Sequence, residues 1–124
     1  MFSHIMIGTN DLDRAKGFYD ALLATLDVGP ARVDGHRIFY MTPTGVFSVS
    51  KPIDGKPATA PNGGTIGFAC SSSAQADAWH AAGLAAGGVT CEDPPGVREG
   101  ATGKMYLAYL RDPDGNKLCG LHRM

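Results

Sequence analysis

The sequence predicts an α+β domain made of two βαβββ modules, and three observations carry that prediction. Its 124 residues include 17 glycines and 8 prolines. Both residues disfavour helix interiors, so short elements joined by tight turns are expected rather than a helical bundle. Strand-like alternation recurs around two helical stripes. The order of those elements then repeats, in residues as well as in pattern.

Phe2 to Gly8 alternates as a first strand, with Phe2, His4 and Met6 on one face and Ser3, Ile5 and Ile7 on the other. Asn10 or Asp11 caps the helix that follows, its side-chain oxygen accepting from free N–H groups of the first turn. Leu12, Ala15, Phe18, Tyr19, Leu22, Leu23 and Leu26 recur at helical spacing until Gly29-Pro30. Ala31 to Val33, an Asp34-Gly35 turn and Arg37 to Met41 read as a hairpin. Thr42-Pro43-Thr44-Gly45 then turns into a strand from Val46 to Ser50. Lys51 to Gly64, rich in proline and glycine, reads as a linker. Thr65 to Cys70 opens the second half as a strand. A helix capped within Ser71-Ser72-Ser73 runs through Ala86, with Ala74, Ala78, Trp79, Ala82 and Ala86 turned inward. Val89 to Cys91 is a short strand and Glu92 to Gly103 a loop. Met105 to Arg111 and Asn116 to His122 are strands joined by Asp112-Pro113-Asp114-Gly115. Long loops on rigid sheets carry specificity, so Glu92 to Gly103 is the expected lid.

Phe18-Tyr19 and Ala78-Trp79 take equivalent helix positions, 60 residues apart. The segment from Phe39 to Gly45 matches that from Tyr109 to Gly115 at an offset of 70. Each half is too small to bury its sheet alone. One domain over residues 1–124 is therefore expected, with module one at 1–51, a linker at 52–64 and module two at 65–124.

Lysine and arginine number 11 against 12 acidic residues, a net charge of −1. That removes the electrostatic case for a nucleic-acid partner. No apolar run approaches the roughly 20 residues of a membrane span. The opening residues carry no basic stretch followed by an apolar one, so no secretory signal is visible. Cys70, Cys91 and Cys119 form no CxxC pair, which indicates neither a disulfide framework nor a zinc knuckle. A reduced, cytoplasmic protein is the expectation.

Three segments carry a family resemblance: the Phe2-Ser3-His4-Ile5-Met6-Ile7-Gly8 strand, the Asp11 to Tyr19 helix start, and the Tyr109 to Lys117 hairpin with its Asp-Pro-Asp-Gly-Asn turn. Together they make the chain resemble the vicinal oxygen chelate superfamily of glyoxalase I, bleomycin-resistance proteins and extradiol dioxygenases. The resemblance implies paired modules curved into an open, cup-like mixed sheet with helices outside, a small organic ligand in the cup, and a homodimer. It also implies a divalent metal (nickel, zinc, iron or manganese) held by the first and last strands of each module, where it acts as a Lewis acid.

Carried onto this chain, those four positions are His4, Val49 (or Ser48 or Ser50 beside it), Thr65 and Cys119. Of these only His4 is one of the histidine or carboxylate ligands the resemblance implies; serine and threonine hydroxyls bind these metals poorly at neutral pH, and a Cys119 thiolate would bring the count to two at most. The metal site is thus expected to be incomplete, with no cofactor. His4 and Cys119 are the expected catalytic pair, the histidine serving as base or hydrogen-bond partner. Thr65, Phe47, Val49 and Tyr106 are expected to touch substrate. The bland readings stand beside these: a satisfied pocket histidine for His4, a buried small hydrophobe for Cys119, and core packing for strand aromatics. His36, His80 and His122 are expected at a turn, on a helix and on the strand face opposite Cys119.

Two function classes compete, a glyoxalase-like lyase or related small-molecule enzyme and a protein that binds a small molecule without turnover. The resemblance alone does not choose between them. A purely structural or interaction module is the third reading.

Overall fold

A computed structural model describes residues 1–124. Module one runs β1 (His4–Gly8), α1 (Leu12–Ala24), β2 (Arg32–Asp34), β3 (Arg37–Thr42) and β4 (Gly45–Ser50). Its four strands lie in the order β1-β4-β3-β2, with β1 parallel to β4 because α1 carries the chain back across the sheet. Module two runs β5 (Ile66–Ala69), α2 (Ser73–Ala85), β6 (Val89–Thr90), β7 (Gly96–Gly100), β8 (Gly103–Arg111) and β9 (Lys117–Arg123). Its order is β5-β9-β8-β6, and β7 also pairs with β8. Neither helix is long and apolar enough to cross a membrane.

Both helices begin at the kind of residue the sequence marks. The Asp11 carboxylate accepts from the Arg14 amide and the Ser72 hydroxyl from the Gln75 amide, each at 3.0 Å. The inward stripe of α1 holds Ala15, Phe18, Tyr19, Leu22 and Leu23. That of α2 differs from expectation: Ala76, Trp79, His80 and Gly83 are buried, while Ala74 and Ala78 face solvent. Alanines surround this helix, so periodicity says little and the single tryptophan sets the face. Gly83 lets the helix approach the sheet closely, since a Cβ there would meet Leu110 at 2.4 Å. Side chains from both modules share one core that includes Tyr19, Tyr40, Phe47, Trp79, Leu110 and Leu118. Each such fully buried side chain contributes about 2 kcal/mol from removal of apolar area from water.

The Glu92 to Gly103 segment is not a free loop. Gly96–Gly100 pairs antiparallel with β8, Val97 opposite Tyr106 and Gly100 opposite Gly103, making a hairpin that lengthens β8 to nine residues. The paired glycines at its tip, Gly103 with φ of +108°, permit the tight reversal where the sequence predicts a loop.

The Asp112 to Asn116 turn joins the modules. Asp112 is buried and accepts from the Tyr19 hydroxyl of α1 at 2.5 Å and from the Asp114 and Asn116 amides at 2.9 Å. Asp114 accepts from the Thr9 hydroxyl, the Asn10 amide and the Arg14 guanidinium. Asn116 donates to the Gly8 carbonyl at 3.1 Å. A turn of module two thereby satisfies the polar groups at the β1–α1 junction of module one.

Candidate functional site

Strand alternation sorts the side chains of module one by face. Ile38, Tyr40, Phe47 and Val49 point to the helices. Their neighbours on β3 and β4, and the residues opposite those on β1, occupy the other, helix-free face. His4 lies on that face in a row with Val46 and Met41, and Met6 in a row with Ser48 and Phe39. The His4 ring is exposed, with the Ser3 hydroxyl 2.8 Å from Nδ1.

A groove of about 590 Å³ opens between β1 and β5, closed by the end of α1 and the β3–β4 hairpin. His4, Ile5, Tyr40 and Phe47 line it from module one, and Ile66, Gly67, Phe68 and Ala69 from module two. Thr65 precedes β5, exposed beside this groove. Cys119 is one strand away: it pairs with Gly67 and lies on the helix-free face of module two. No hydrogen bond joins His4 to Cys119.

Val49 and Tyr106 do not reach this space. Val49 is fully buried in the core, while Ser48 and Ser50 take the outer face and spend their hydroxyls on the Ile38 and Lys51 carbonyls. The reason is one residue in a turn. Thr42 pairs with Gly45, whereas the matching turn closes from Asp112 to Asn116. The offset between modules is therefore 70 before the turn, where Tyr40 matches Leu110, and 71 after it, where Phe47 matches Leu118. Ser48, not Val49, is the counterpart of Cys119. Tyr106 faces α2, where its hydroxyl donates to Asp77 at 2.7 Å. Tyr109, directly opposite Cys119 on β8, is the aromatic residue on its face. Counting alternation back from Leu110 is the signal that separates the two tyrosines.

Cys119 is only 6% exposed, and burial above all pushes its thiol up, with the Tyr109 hydroxyl opposing. Raised in this way, it is a poor nucleophile at neutral pH. Burial likewise raises Tyr109, and the neighbouring Cys119 adds to it. The Lys117 ammonium lies 5.1 Å from the Tyr109 ring centroid and pairs with Glu92. The other histidines serve elsewhere. His80 is buried 3.1 Å from the Thr90 hydroxyl, His122 turns its ring to the Cys70 carbonyl at 3.2 Å, and His36 sits in the β2–β3 turn.

No group of three histidine, cysteine or acidic side chains comes together in this chain to hold a metal ion. The donor set around His4 (Met41, Val46, a committed Ser48) does not fit the metal the fold implies.

The profile of the Glyoxalase/Bleomycin resistance protein/Dioxygenase superfamily matches residues 1–119. The chain belongs to this superfamily. A glyoxalase/bleomycin resistance protein from Albidiferax ferrireducens is 62% identical, with a TM-score of 0.98 over 99% of both chains. A glyoxalase-related enzyme from Fulvimarina pelagi shares the fold at 19% identity and a TM-score of 0.75, covering 99% of this chain and 88% of its own. A lactoylglutathione lyase from Agrobacterium tumefaciens does so at 20% and 0.68, covering 98% and 92%. No curated protein sequence matches. The α+β architecture is that of the solved relatives.

Proposed function

We propose that the protein binds a small organic molecule in the groove between β1 and β5, without a catalytic metal and without turnover. The groove itself carries the reading: its volume, its mainly apolar walls from both modules and its few polar groups are those of small-molecule sites. His4 at the rim is the hydrogen-bond partner for the ligand, Phe47 supplies apolar wall, and Thr65 stands at the mouth. Cys119 contributes as a protonated thiol on the adjoining strand. The working form in this proposal is a homodimer, because Met6 and Met41 on the helix-free face are 42% and 59% exposed and a second copy would cover them. Three unpaired cysteines fit a reducing compartment such as the cytoplasm.

The test is amide chemical-shift mapping of the full chain with neutral aromatic fragments, 2-phenylacetamide first. The expected result is saturable shifts at Ile5, Phe47, Ile66 and Phe68, with binding weakened severalfold in His4→Ala. Shifts that never saturate, or that cluster away from the groove, would overturn the proposal.

A further inference from the structure

The groove between β1 and β5 is charged on one side only, although the whole chain carries a net charge of just −1. No lysine or arginine lines it, and Asp27 is its only acidic residue. The other titratable groups along its walls are His4 and Tyr40. The Tyr40 hydroxyl is committed, donating at 2.8 Å to Asp20, which does not line the groove. Asp27 is exposed and takes part in none of the molecule's ion pairs. Its carboxylate thus borders the groove with no protein cation to balance it.

The placement of Asp27 sharpens the point. It stands where α1 ends, its amide donating to the Ala24 carbonyl and the Val28 amide to the Leu23 carbonyl, both at 3.1 Å. Its φ of +60° is left-handed, a conformation that glycine and asparagine adopt as readily and without charge. The C-terminal end of a helix is its negative pole, and no basic residue in the last turn of α1 offsets it. A carboxylate here works against the helix and deepens the negative potential at this end of the groove. A cation in the groove would be attracted by the carboxylate and the helix end together. Leu23, Leu26 and Val28 supply apolar wall from the same segment, and Phe2, Phe47 and Phe68 line the same space. Aromatic ring faces attract cations and also pack against an apolar body.

We propose that Asp27 and the end of α1 receive a cationic group, so that the ligand of the groove is an organic amine with an apolar body. The inference rests on the small-molecule reading above and specifies its ligand class.

The test uses full-length protein and three probes that differ mainly in charge: phenethylammonium, 2-phenylacetamide and phenylacetate. Affinities come from saturable amide chemical shifts at Ile66 and Phe68. Expected is at least about a fivefold preference for the ammonium over the amide, with phenylacetate weakest. Added salt should shrink that preference. It should vanish in Asp27→Asn, which keeps the left-handed turn and loses only the charge, while the amide binds as in the parent chain. Asp27→Gly should behave alike and keeps the test valid should the asparagine variant misfold. Asp13→Asn, at the other end of α1, should retain the preference in full. Equal binding of ammonium and amide, a preference for phenylacetate, or an ammonium preference unchanged in both Asp27 variants overturns the inference and leaves the small-molecule reading standing. If no probe binds at any charge, both fail.

Discussion

Cys119 shows how burial settles a residue's chemistry before any partner does. Its thiol and that of Cys70 are both pushed up by burial, while Cys91 is only half-buried. A thiol reagent at pH 7.5 should therefore label Cys91 first and the other two only on unfolding; fast labelling of Cys119, read by peptide mass, would restore a reactive cysteine to the site. Tyr19 gives a pH prediction. Burial first, and then the Asp112 carboxylate, hold its hydroxyl well above the usual value. Its contribution is present below about pH 10 and fades above it, because the unfolded chain then releases a proton that the folded one keeps. Urea midpoints should fall as pH rises past 10, less steeply in Tyr19→Phe, which starts about 2 kcal/mol less stable through loss of a bond to a charged group. An alkaline fall as steep as in the parent chain would contradict this. The histidine on β1 and the free cysteine on the last strand were readable from sequence. The buried, unpartnered Nε of Arg37 and Nε1 of Trp79 were not, since orphaned atoms exist only once neighbours are placed.

Elements were legible where spacing was strong and opaque where it was not. The α1 stripe follows directly from apolar recurrence, and the helix ends two residues short of Leu26 because its last turn tightens, Leu26 donating to the Leu23 carbonyl and Asp27 to that of Ala24, before Asp27 turns left-handed at a φ of +60°. The face of α2 is not readable because alanine carries little preference, and β7 is hidden because Gly96–Gly100 holds a single apolar residue, Val97, between terminal glycines. A single extra residue in the Asp112 to Asn116 turn leaves Val49 toward the helices and makes Ser48, itself buried on the helix-free side, the counterpart of Cys119. A slip of one always exchanges the faces of a strand. Trp79 fixes the helix–sheet spacing in module two, lying over Gly120, where an added Cβ would come within 2.8 Å of its ring. Gly120→Ala should cost about 1–3 kcal/mol from overpacking, measured as a lowered urea midpoint, whereas Gly17→Ala, with open space around it, should be neutral or stabilising. Equal effects would mean that the tryptophan does not set the spacing.

At the scale of the molecule, the repeat predicts the outcome and the signature turn explains it. The Asp-Pro-Asp-Gly-Asn turn, one of the segments that carry the family resemblance, proves to be the clamp between modules rather than part of the groove. Its position therefore reports the fold and says little about the chemistry, which is why family membership was legible and the ligand was not. The exposed methionines lead to a further expectation: light scattering should give a dimer mass, and Met6→Glu with Met41→Glu a monomer that stays folded. A parent chain that scatters as a monomer would remove the second copy from the proposal.

The claim that the site works without a metal is tested most directly by elemental mass spectrometry of tag-free, dialysed protein, followed by melting with added nickel, zinc, manganese or ferrous ion. The donor set around His4 predicts well under one ion per chain and no rise in melting temperature. One ion per chain, or a rise of several degrees that His4→Ala abolishes, would contradict it and make the site a metal centre completed by another chain.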